Sequence, residues 1–292
     1  MSPTSHTGRA YLAWGAVCLL WGTTYLAIRI ALETVPPMLL GGVRWTVAGA
    51  IILLVLRARG EALPTRDTWP SLALLGVLLI GFGNGGVVWA EQTIPSGLTA
   101  VLVAVVPFWM VGIERMSGSA ERLGARRLIG LVTGFAGIVL LVWPELEAGH
   151  GPGVVLGVIA TQLACVGWAI GSSYSRRRPS SENILAVAAS QMLFGGLAMF
   201  AAGVLLGEAG AMHVTARSGG ALGYLIVFGS LAGYTAYIYA LKHLPLATVS
   251  LYAYVNPVIA MVLGTLVLAE PMSLRVGVAG AVVLAGISLV KK

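Results

Sequence analysis

Long runs of apolar residues, separated by short polar or proline-containing segments, follow one another along almost the whole chain. A helical run of about 18–25 apolar residues is long enough to cross the hydrocarbon core of a bilayer. We therefore predict an all-α integral membrane protein with ten transmembrane helices, called spans one to ten below. They cover residues 10–30, 37–56, 70–90, 95–113, 124–143, 153–175, 183–206, 219–241, 245–268 and 273–290.

Particular residues of the first half return in the second half at nearly constant offsets. The pairs are Cys18, Trp21 and Arg29 with Cys165, Trp168 and Arg176 at 147; Glu121 with Glu270 at 149; and Gly83 and Pro107 with Gly233 and Pro257 at 150. Internal duplication in an apolar chain is typical of transporters built from two structural repeats. We predict two five-helix repeats, residues 1–147 and 148–292. Because five is an odd number, the second repeat should run inverted relative to the first, around a central cavity.

Composition and charge agree with a membrane location. Of the 292 residues 58% are hydrophobic and 10% are charged, whereas soluble domains carry about 25% charged residues. By loop, fourteen Lys and Arg lie on the side of the N-terminus and three on the other side. Excess positive charge marks the cytoplasmic side, so we predict a multi-pass protein of the bacterial inner membrane with both termini in the cytoplasm. The net charge of +7 would also suit nucleic acid, but the basic residues occupy short loops between apolar runs, so no nucleic-acid partner is expected.

A set of segments in both halves carries a family resemblance. They are Trp21 to Arg29, Arg44, Pro107 and Glu121 to Gly137 in the first half, and Gln191, Pro257, and Glu270 to Gly286 in the second. With them the chain resembles the drug/metabolite transporter superfamily in its EamA-type ten-helix branch, and within it is similar to YddG-type exporters of aromatic amino acids. The resemblance implies an inner-membrane exporter whose central cavity is lined by helices from both halves. One departure is that Arg122 follows Glu121, whereas Pro271 follows Glu270, so the two corresponding hairpins are expected to differ.

Helical spacing puts aromatic and small polar side chains on one face of spans one and six. The two stripes are Trp14, Cys18, Trp21, Tyr25 and Ile28 in span one, and Thr161, Cys165, Trp168, Ser172 and Ser175 in span six. Their matching repeat positions are those that a cavity on a pseudo-twofold axis requires. Packing between helices is the alternative, because small and hydroxyl residues are common at helix contacts in membranes. Both readings stay open for Trp21 and Trp168, which lie far from the interfacial belt where Trp is usually found.

Other spans add polar and aromatic residues to this candidate site. Asn84 lies among the glycines of span three and needs a hydrogen-bond partner in hydrocarbon. The predicted substrate-binding residues are Trp21, Tyr25, Asn84, Trp109, Trp168, Ser172, Tyr234, Tyr237, Tyr252 and Asn256. Aromatic faces suit planar apolar groups, and a few placed polar atoms set orientation. An aromatic or large neutral amino acid fits this chemistry.

Two further features concern motion and charge. We predict hinges at Gly83, Pro107, Gly233 and Pro257, because glycine and proline weaken helical continuity within a span. Arg44 is the ionisable residue that lies well inside a span, about 10 Å along its helix from Pro37. It could hold a substrate carboxylate, cap helix carbonyls or pair with Glu33, so we class it as structural or carboxylate-binding.

The chemistry that the sequence lacks narrows the function. The sequence places no carboxylate in the middle of a span, and the four histidines lie in loops or at span edges. We therefore expect no metal, no cofactor and no enzymatic activity. The expected partners are a small-molecule substrate and membrane lipid, and the oligomeric state is left open, with a monomer as one option. The sequence predicts a secondary transporter that exports small neutral metabolites by alternating access. The alternatives are an exporter of drugs or other metabolites, and a membrane sensor without transport.

Overall fold

The computed structural model describes residues 3–116, 151–178 and 182–269, together with scattered positions within 129–137 and 274–289. All regular secondary structure in this part of the chain is helical. Spans five and ten, apart from isolated helical positions, and the predicted repeat boundary at residues 147 and 148 lie outside the described residues. Seven of the described helices are long and apolar enough to cross a membrane, and an eighth apolar helix, Val255–Leu268, is shorter.

Four predicted spans are single uninterrupted helices. They are span one at Pro3–Ala31, span two at Pro37–Ala58, span six at Gly151–Arg177 and span seven at Ile184–Leu205. Local chemistry explains where two of them begin. Pro37 starts span two, at a position where a missing N–H costs nothing. Asn183 caps span seven, since its side chain accepts a 2.9 Å hydrogen bond from the backbone nitrogen of Leu185.

Spans three and eight each contain a π-helical stretch between two α-helical segments. The segments of span three are Trp69–Leu75, the π-helix Gly76–Asn84 and Gly85–Ala90, after a 3-10 turn at Arg66–Thr68. Those of span eight are Ala216–Tyr224, the π-helix Leu225–Ala232 and Gly233–His243. A π-helix bonds i to i+5, so it shifts the phase of the following helix and is frequent at functional sites.

Spans four and nine are each divided by a short break. Span four consists of Ser96–Val103 and Val106–Met116, and span nine of Leu246–Val249 and Tyr252–Leu268. Pro107 is the second residue of the second helix in span four, where it favours a helix start. Pro257 instead lies inside the longer helix of span nine. The two prolines therefore occupy different local structures, although they are repeat counterparts in the sequence.

Spans two and seven pack closely against each other. The loop between spans one and two also contacts the loop between spans seven and eight. A Cβ at Gly196 would lie 2.4 Å from the backbone nitrogen of Thr46, so this contact needs a glycine. At the end predicted to be periplasmic, Arg217 forms a 3.0 Å ion pair with Glu33. Glu208 accepts a 2.9 Å hydrogen bond from the backbone nitrogen of Leu39, at the start of span two. These contacts hold the connection between spans one and two against that between spans seven and eight.

Candidate substrate site

A cavity of about 60 Å³ lies between spans one, two, three, four, six and nine. Its wall consists of Trp21, Thr24, Tyr25, Ile28, Arg44, Trp45, Gly83, Asn84, Val87, Val103, Val106, Ala164, Cys165, Trp168, Tyr252 and Asn256. This volume holds a few water molecules, so a larger solute needs the lining helices to move apart. Both halves of the chain contribute to the wall, as a site between two repeats requires.

Trp21 and Trp168 meet at the centre of this cavity. Their ring centroids are 5.4 Å apart and the rings cross at 80°, an edge-to-face contact that aromatic pairs favour. Trp21 Nε1 donates a 3.0 Å hydrogen bond to the carbonyl oxygen of Gly229, within the π-helix of span eight. The indole nitrogen is therefore satisfied, and the ring face of Trp21 is held in a fixed orientation.

Each of these tryptophans packs on a glycine from the other half of the chain. A Cβ at Gly83 would lie 2.7 Å from Trp168 Cε3, and a Cβ at Gly233 would lie 2.6 Å from Trp21 Nε1. Carbon and nitrogen atoms without a bond do not approach so closely, so both positions require glycine. The two predicted hinge glycines thus have a steric role, and the two contacts mirror each other across the repeats.

Three tyrosines, Tyr234, Tyr237 and Tyr252, surround the tryptophan pair. The Tyr237 ring lies 5.1 Å from both Trp21 and Trp168, and Tyr252 lies 5.1 Å from Trp21 in an edge-to-face contact. Ser172 donates to the carbonyl of Trp168, so the 2.7 Å contact between Ser172 and Tyr237 is donated by the tyrosine. All of these groups are buried, and the hydroxyls of Ser172, Tyr237 and Tyr234 are paired inside the protein.

The two asparagines of the candidate site find partners inside the bundle. Asn84 Oδ1 accepts a 2.8 Å hydrogen bond from Trp45 Nε1, which meets the requirement for a partner at this position. The Asn256 side chain lies 3.0 Å from the carbonyl oxygen of Cys18, which its amide nitrogen satisfies as a donor. Trp45 was not singled out by the sequence, although it lies next to Arg44 and lines the same cavity.

Arg44 is 2% exposed and belongs to the cavity wall. Its Nε donates a 2.8 Å hydrogen bond to Ser230 Oγ, and its Cζ lies 4.4 Å from the ring centroid of Trp45. Glu33, one of the partners considered for Arg44, instead pairs with Arg217 at 3.0 Å. Among the described residues, Arg44 Nη1 has no hydrogen-bond partner. A buried guanidinium with an unused donor on a cavity wall is arranged to receive an anionic or carbonyl oxygen.

The predicted residues divide into those on the wall and those away from it. The cavity is lined by Trp21, Tyr25, Asn84, Trp168, Tyr252 and Asn256, together with Arg44 and Gly83. Ser172, Tyr234 and Tyr237 are fully buried behind this wall. Trp109 lies outside the cavity, 40% exposed, and its Nε1 donates to Gln162 Oε1 at 3.3 Å. Glu91 directly follows span three and is fully buried, and its carbonyl oxygen accepts a hydrogen bond from Arg29.

The described helices form an apolar bundle around a buried aromatic cavity. The chain belongs to the EamA-like transporter family, whose profile matches residues 9–143 and again residues 155–291. The family and the long apolar helices support a multi-pass transporter of a bacterial inner membrane.

Several known proteins are similar to the chain. The uncharacterized inner membrane transporter YedA of Escherichia coli strain K12 is 37% identical over 251 residues, which is 86% of this chain and 80% of that protein. Protein PecM of Dickeya dadantii is 27% identical, over 89% of this chain and 84% of that protein. A solved crystal structure of a protein aligns with a TM-score of 0.71 over 96% of both chains. At 22% identity this last likeness shows the fold alone.

Proposed function

We propose that this transporter exports aromatic or other large neutral amino acids from the bacterial cytoplasm by alternating access. The observation that carries the proposal is the pairing of an aromatic wall with a buried guanidinium in one cavity. Trp21, Trp168 and Tyr252 offer flat apolar faces, which suit the side chain of such a solute. The solute would bind between the two halves of the bundle.

Arg44 supplies the complementary polar contact in this proposal. A carboxylate oxygen of the solute would accept from Nη1, the donor that has no partner among the described residues. Hydrogen bonds between guanidinium and carboxylate are shorter and roughly twice as strong as neutral ones. The Nε donor already binds Ser230, which fixes the guanidinium plane before the solute arrives. Arg44 is therefore preorganised for a carboxylate.

Features of the helices support alternating access. The chain matches the family profile twice, and the breaks in spans four and nine and the π-helices of spans three and eight interrupt regular bonding in both halves. Such interruptions let two segments of one span tilt separately. Spans three, four, eight and nine are proposed to rock against the remaining spans, with Pro107 and Pro257 among the pivots.

Counterflow in proteoliposomes tests the substrate class. Purified protein would be reconstituted with unlabelled amino acids inside, and uptake of labelled L-tryptophan, L-phenylalanine, L-leucine, L-arginine and L-glutamate would be followed with and without a proton gradient. We expect saturable exchange of the first three and little of the charged pair, because the pocket wall is largely aromatic. Binding of L-tryptophan without movement would indicate a sensor, and absence of exchange for all five would refute the proposal.

Competition with an amine tests the role of Arg44 without any mutation. Tryptamine keeps the indole ring and the amino group of tryptophan but lacks the carboxylate. We expect tryptamine to compete about tenfold more weakly, because a charge-assisted hydrogen bond is lost. Equal competition would show that Arg44 does not bind the carboxylate. In that case Arg44 would act only through its contacts with Ser230 and Trp45.

A further inference from the structure

A second and larger cavity, called the vestibule here, opens at the end of the bundle that the charge pattern predicts to be cytoplasmic. Its volume is about 740 Å³. It is lined by Thr65, Asp67, Thr68, Ser71, Leu72, Leu75, Ser175, Arg176, Arg178, Glu182, Ile184, Val187, Gln191, Ile238, Leu241 and Lys242. Three basic and two acidic side chains belong to this lining, so its charge is mixed with a positive balance. The vestibule and the central cavity share no lining residue.

Gln191 is a fully buried polar residue of the vestibule lining. Its side chain is fully buried, and its Oε1 accepts a 2.7 Å hydrogen bond from the hydroxyl of Tyr234. Its Nε2 has no partner among the described residues, although this nitrogen carries two N–H donors. Buried amide donors without partners are costly, and such groups commonly mark ligand sites or bound water. The lining of the vestibule thus includes an amide nitrogen, Gln191 Nε2, whose N–H groups have no partner among the described residues.

This donor corresponds to the one in the central cavity. Gln191 lies 147 positions after Arg44, the offset that also relates Trp21 to Trp168. Gln191 is seven residues after Ile184, the start of span seven, and Arg44 is seven residues after Pro37, the start of span two. Because spans two and seven start at opposite predicted sides of the membrane, Arg44 and Gln191 lie at equivalent depths measured from those opposite sides.

Two buried tyrosines separate the vestibule from the central cavity. Tyr234 bonds to Gln191 on one side, and its ring lies 5.4 Å from Trp45 of the cavity wall on the other. Along span six, Trp168 lines the cavity, Ser172 bonds to Tyr237, and Arg176 lines the vestibule. At 1.5 Å per residue, about 12 Å of helix separates Trp168 from Arg176. A solute that moves between the two cavities must displace these tyrosines.

We propose that the vestibule is a second solute site, where Gln191 Nε2 donates to a carboxylate oxygen before the solute passes Tyr234 and Tyr237. The basic side chains at its rim, Arg176, Arg178 and Lys242, raise the local concentration of anionic groups. Gln191 also accepts a hydrogen bond from Tyr234, one of the two tyrosines that separate the cavities. A carboxylate bound to Gln191 would therefore contact a residue that holds Tyr234 in place. This inference rests on the proposed export of amino acids.

Two variants separate solute binding from a purely structural role of Gln191. Gln191→Met keeps the side-chain length but removes both the donor and the bond to Tyr234, whereas Tyr234→Phe removes only that bond. L-Tryptophan exchange would be measured in oriented vesicles with the vestibule side facing outward. We expect the half-saturation concentration in Gln191→Met to be about tenfold that of Tyr234→Phe, because only the former loses the donor to the carboxylate. Equal values in the two variants would overturn the site.

A labelling experiment decides the site whether or not tryptophan is carried. The chain has two cysteines, both buried, so Gln191→Cys in a Cys18→Ser, Cys165→Ser background provides a single reporter thiol. From the vestibule side it should react faster with a sulfonate-bearing methanethiosulfonate than with a cationic one, after correction for their rates with a free thiol. Ser190→Cys, buried next to it but absent from the vestibule lining, is the control. Absence of an anionic preference at position 191, or equal preference at position 190, would refute the site. Lack of tryptophan exchange with an anionic preference at 191 would count against the proposed substrate class alone.

Discussion

Two glycines determine how deeply the central tryptophans can sit. Gly83 and Gly233 leave space for Trp168 and Trp21, respectively, and a side chain at either position would clash with the indole ring. The tryptophans in turn hold the tyrosines behind them through ring contacts of 5.1 Å to Tyr237. The shape of the aromatic wall therefore depends on having glycine, which has no Cβ, at both positions.

Gly83→Ala and Gly233→Ala should destabilise the protein and deform the cavity. The added Cβ forces an indole or a helix to shift, and overpacking of this kind costs about 1–3 kcal/mol. We expect a lower unfolding temperature of the purified protein and slower transport. Gly81→Ala is the matched control, because its Cβ would meet only Val77 Cγ1, at 3.8 Å. If the Gly83 and Gly233 variants were as stable as Gly81→Ala, the contacts would be looser than described.

Trp21→Ala and Trp168→Ala should weaken substrate binding more than they reduce folding yield. Each removes a flat face from the cavity wall, and an aromatic contact contributes about 0.5–1.5 kcal/mol beyond the area it buries. The half-saturation concentration for L-tryptophan should rise by about tenfold. Trp69→Ala serves as a control, since that side chain is 46% exposed and remote from the wall. Unaltered affinity in both cavity variants would mean that these tryptophans only pack.

For the helices, the sequence predicts where each span begins and ends better than it predicts which direction each side chain faces around the helix axis. Spans one and two begin and end within a few residues of their predicted bounds, apart from the earlier start of span one at Pro3, because apolar length and proline placement are local properties. The π-helices were not predicted, since a backbone shift to i+5 bonding leaves the apolar pattern nearly unchanged. What stabilises one of them is distant in sequence: Trp21 Nε1 binds the Gly229 carbonyl.

The same change of helical phase accounts for three of the four predicted site residues that lie off the cavity wall. In a regular helix each residue turns by about 100°, so an extra residue per π turn rotates everything that follows. Tyr234 and Tyr237 follow the π-helix of span eight and point behind the wall. Trp109 follows the break before Val106 and points away from the cavity. Trp21 and Trp168, in unbroken helices, line the cavity, whereas Ser172, one turn after Trp168 in the same unbroken helix, is buried behind the wall.

Pro107→Ala and Pro257→Ala should slow transport more than they change folding. Alanine restores an N–H and lets either span continue as a regular helix, which stiffens a proposed pivot. The expected result is a lower maximal rate of exchange with a nearly unchanged half-saturation concentration. Pro64→Ala, in the loop before span three, is the control. Unchanged flux in both span variants, with unfolding temperatures like that of the wild type, would rule out these prolines as pivots.

For the whole molecule, several independent features favour two related halves. The family profile matches the chain twice, and the π-helices Gly76–Asn84 and Leu225–Ala232 occupy corresponding positions. Trp168 of the second half contacts Gly83 of the first half, and Trp21 of the first half contacts Gly233 of the second half. Reciprocal contacts of this kind are expected when two similar units pack around a twofold axis. If each unit has five spans, that axis must lie in the membrane plane.

The orientation of the chain ends decides between inverted and parallel halves. Fourteen basic residues on the N-terminal side predict that both termini are cytoplasmic, and an odd number of spans per half predicts that the junction near residue 150 is periplasmic. Green fluorescent protein fused at either end should fluoresce, whereas alkaline phosphatase, which needs disulfides, should be active only when inserted near residue 150. Phosphatase inserted at Gly60 should be inactive and at Gly210 active, which calibrates the two sides. Activity at one terminus, or inactivity near residue 150, would be incompatible with two inverted five-helix halves.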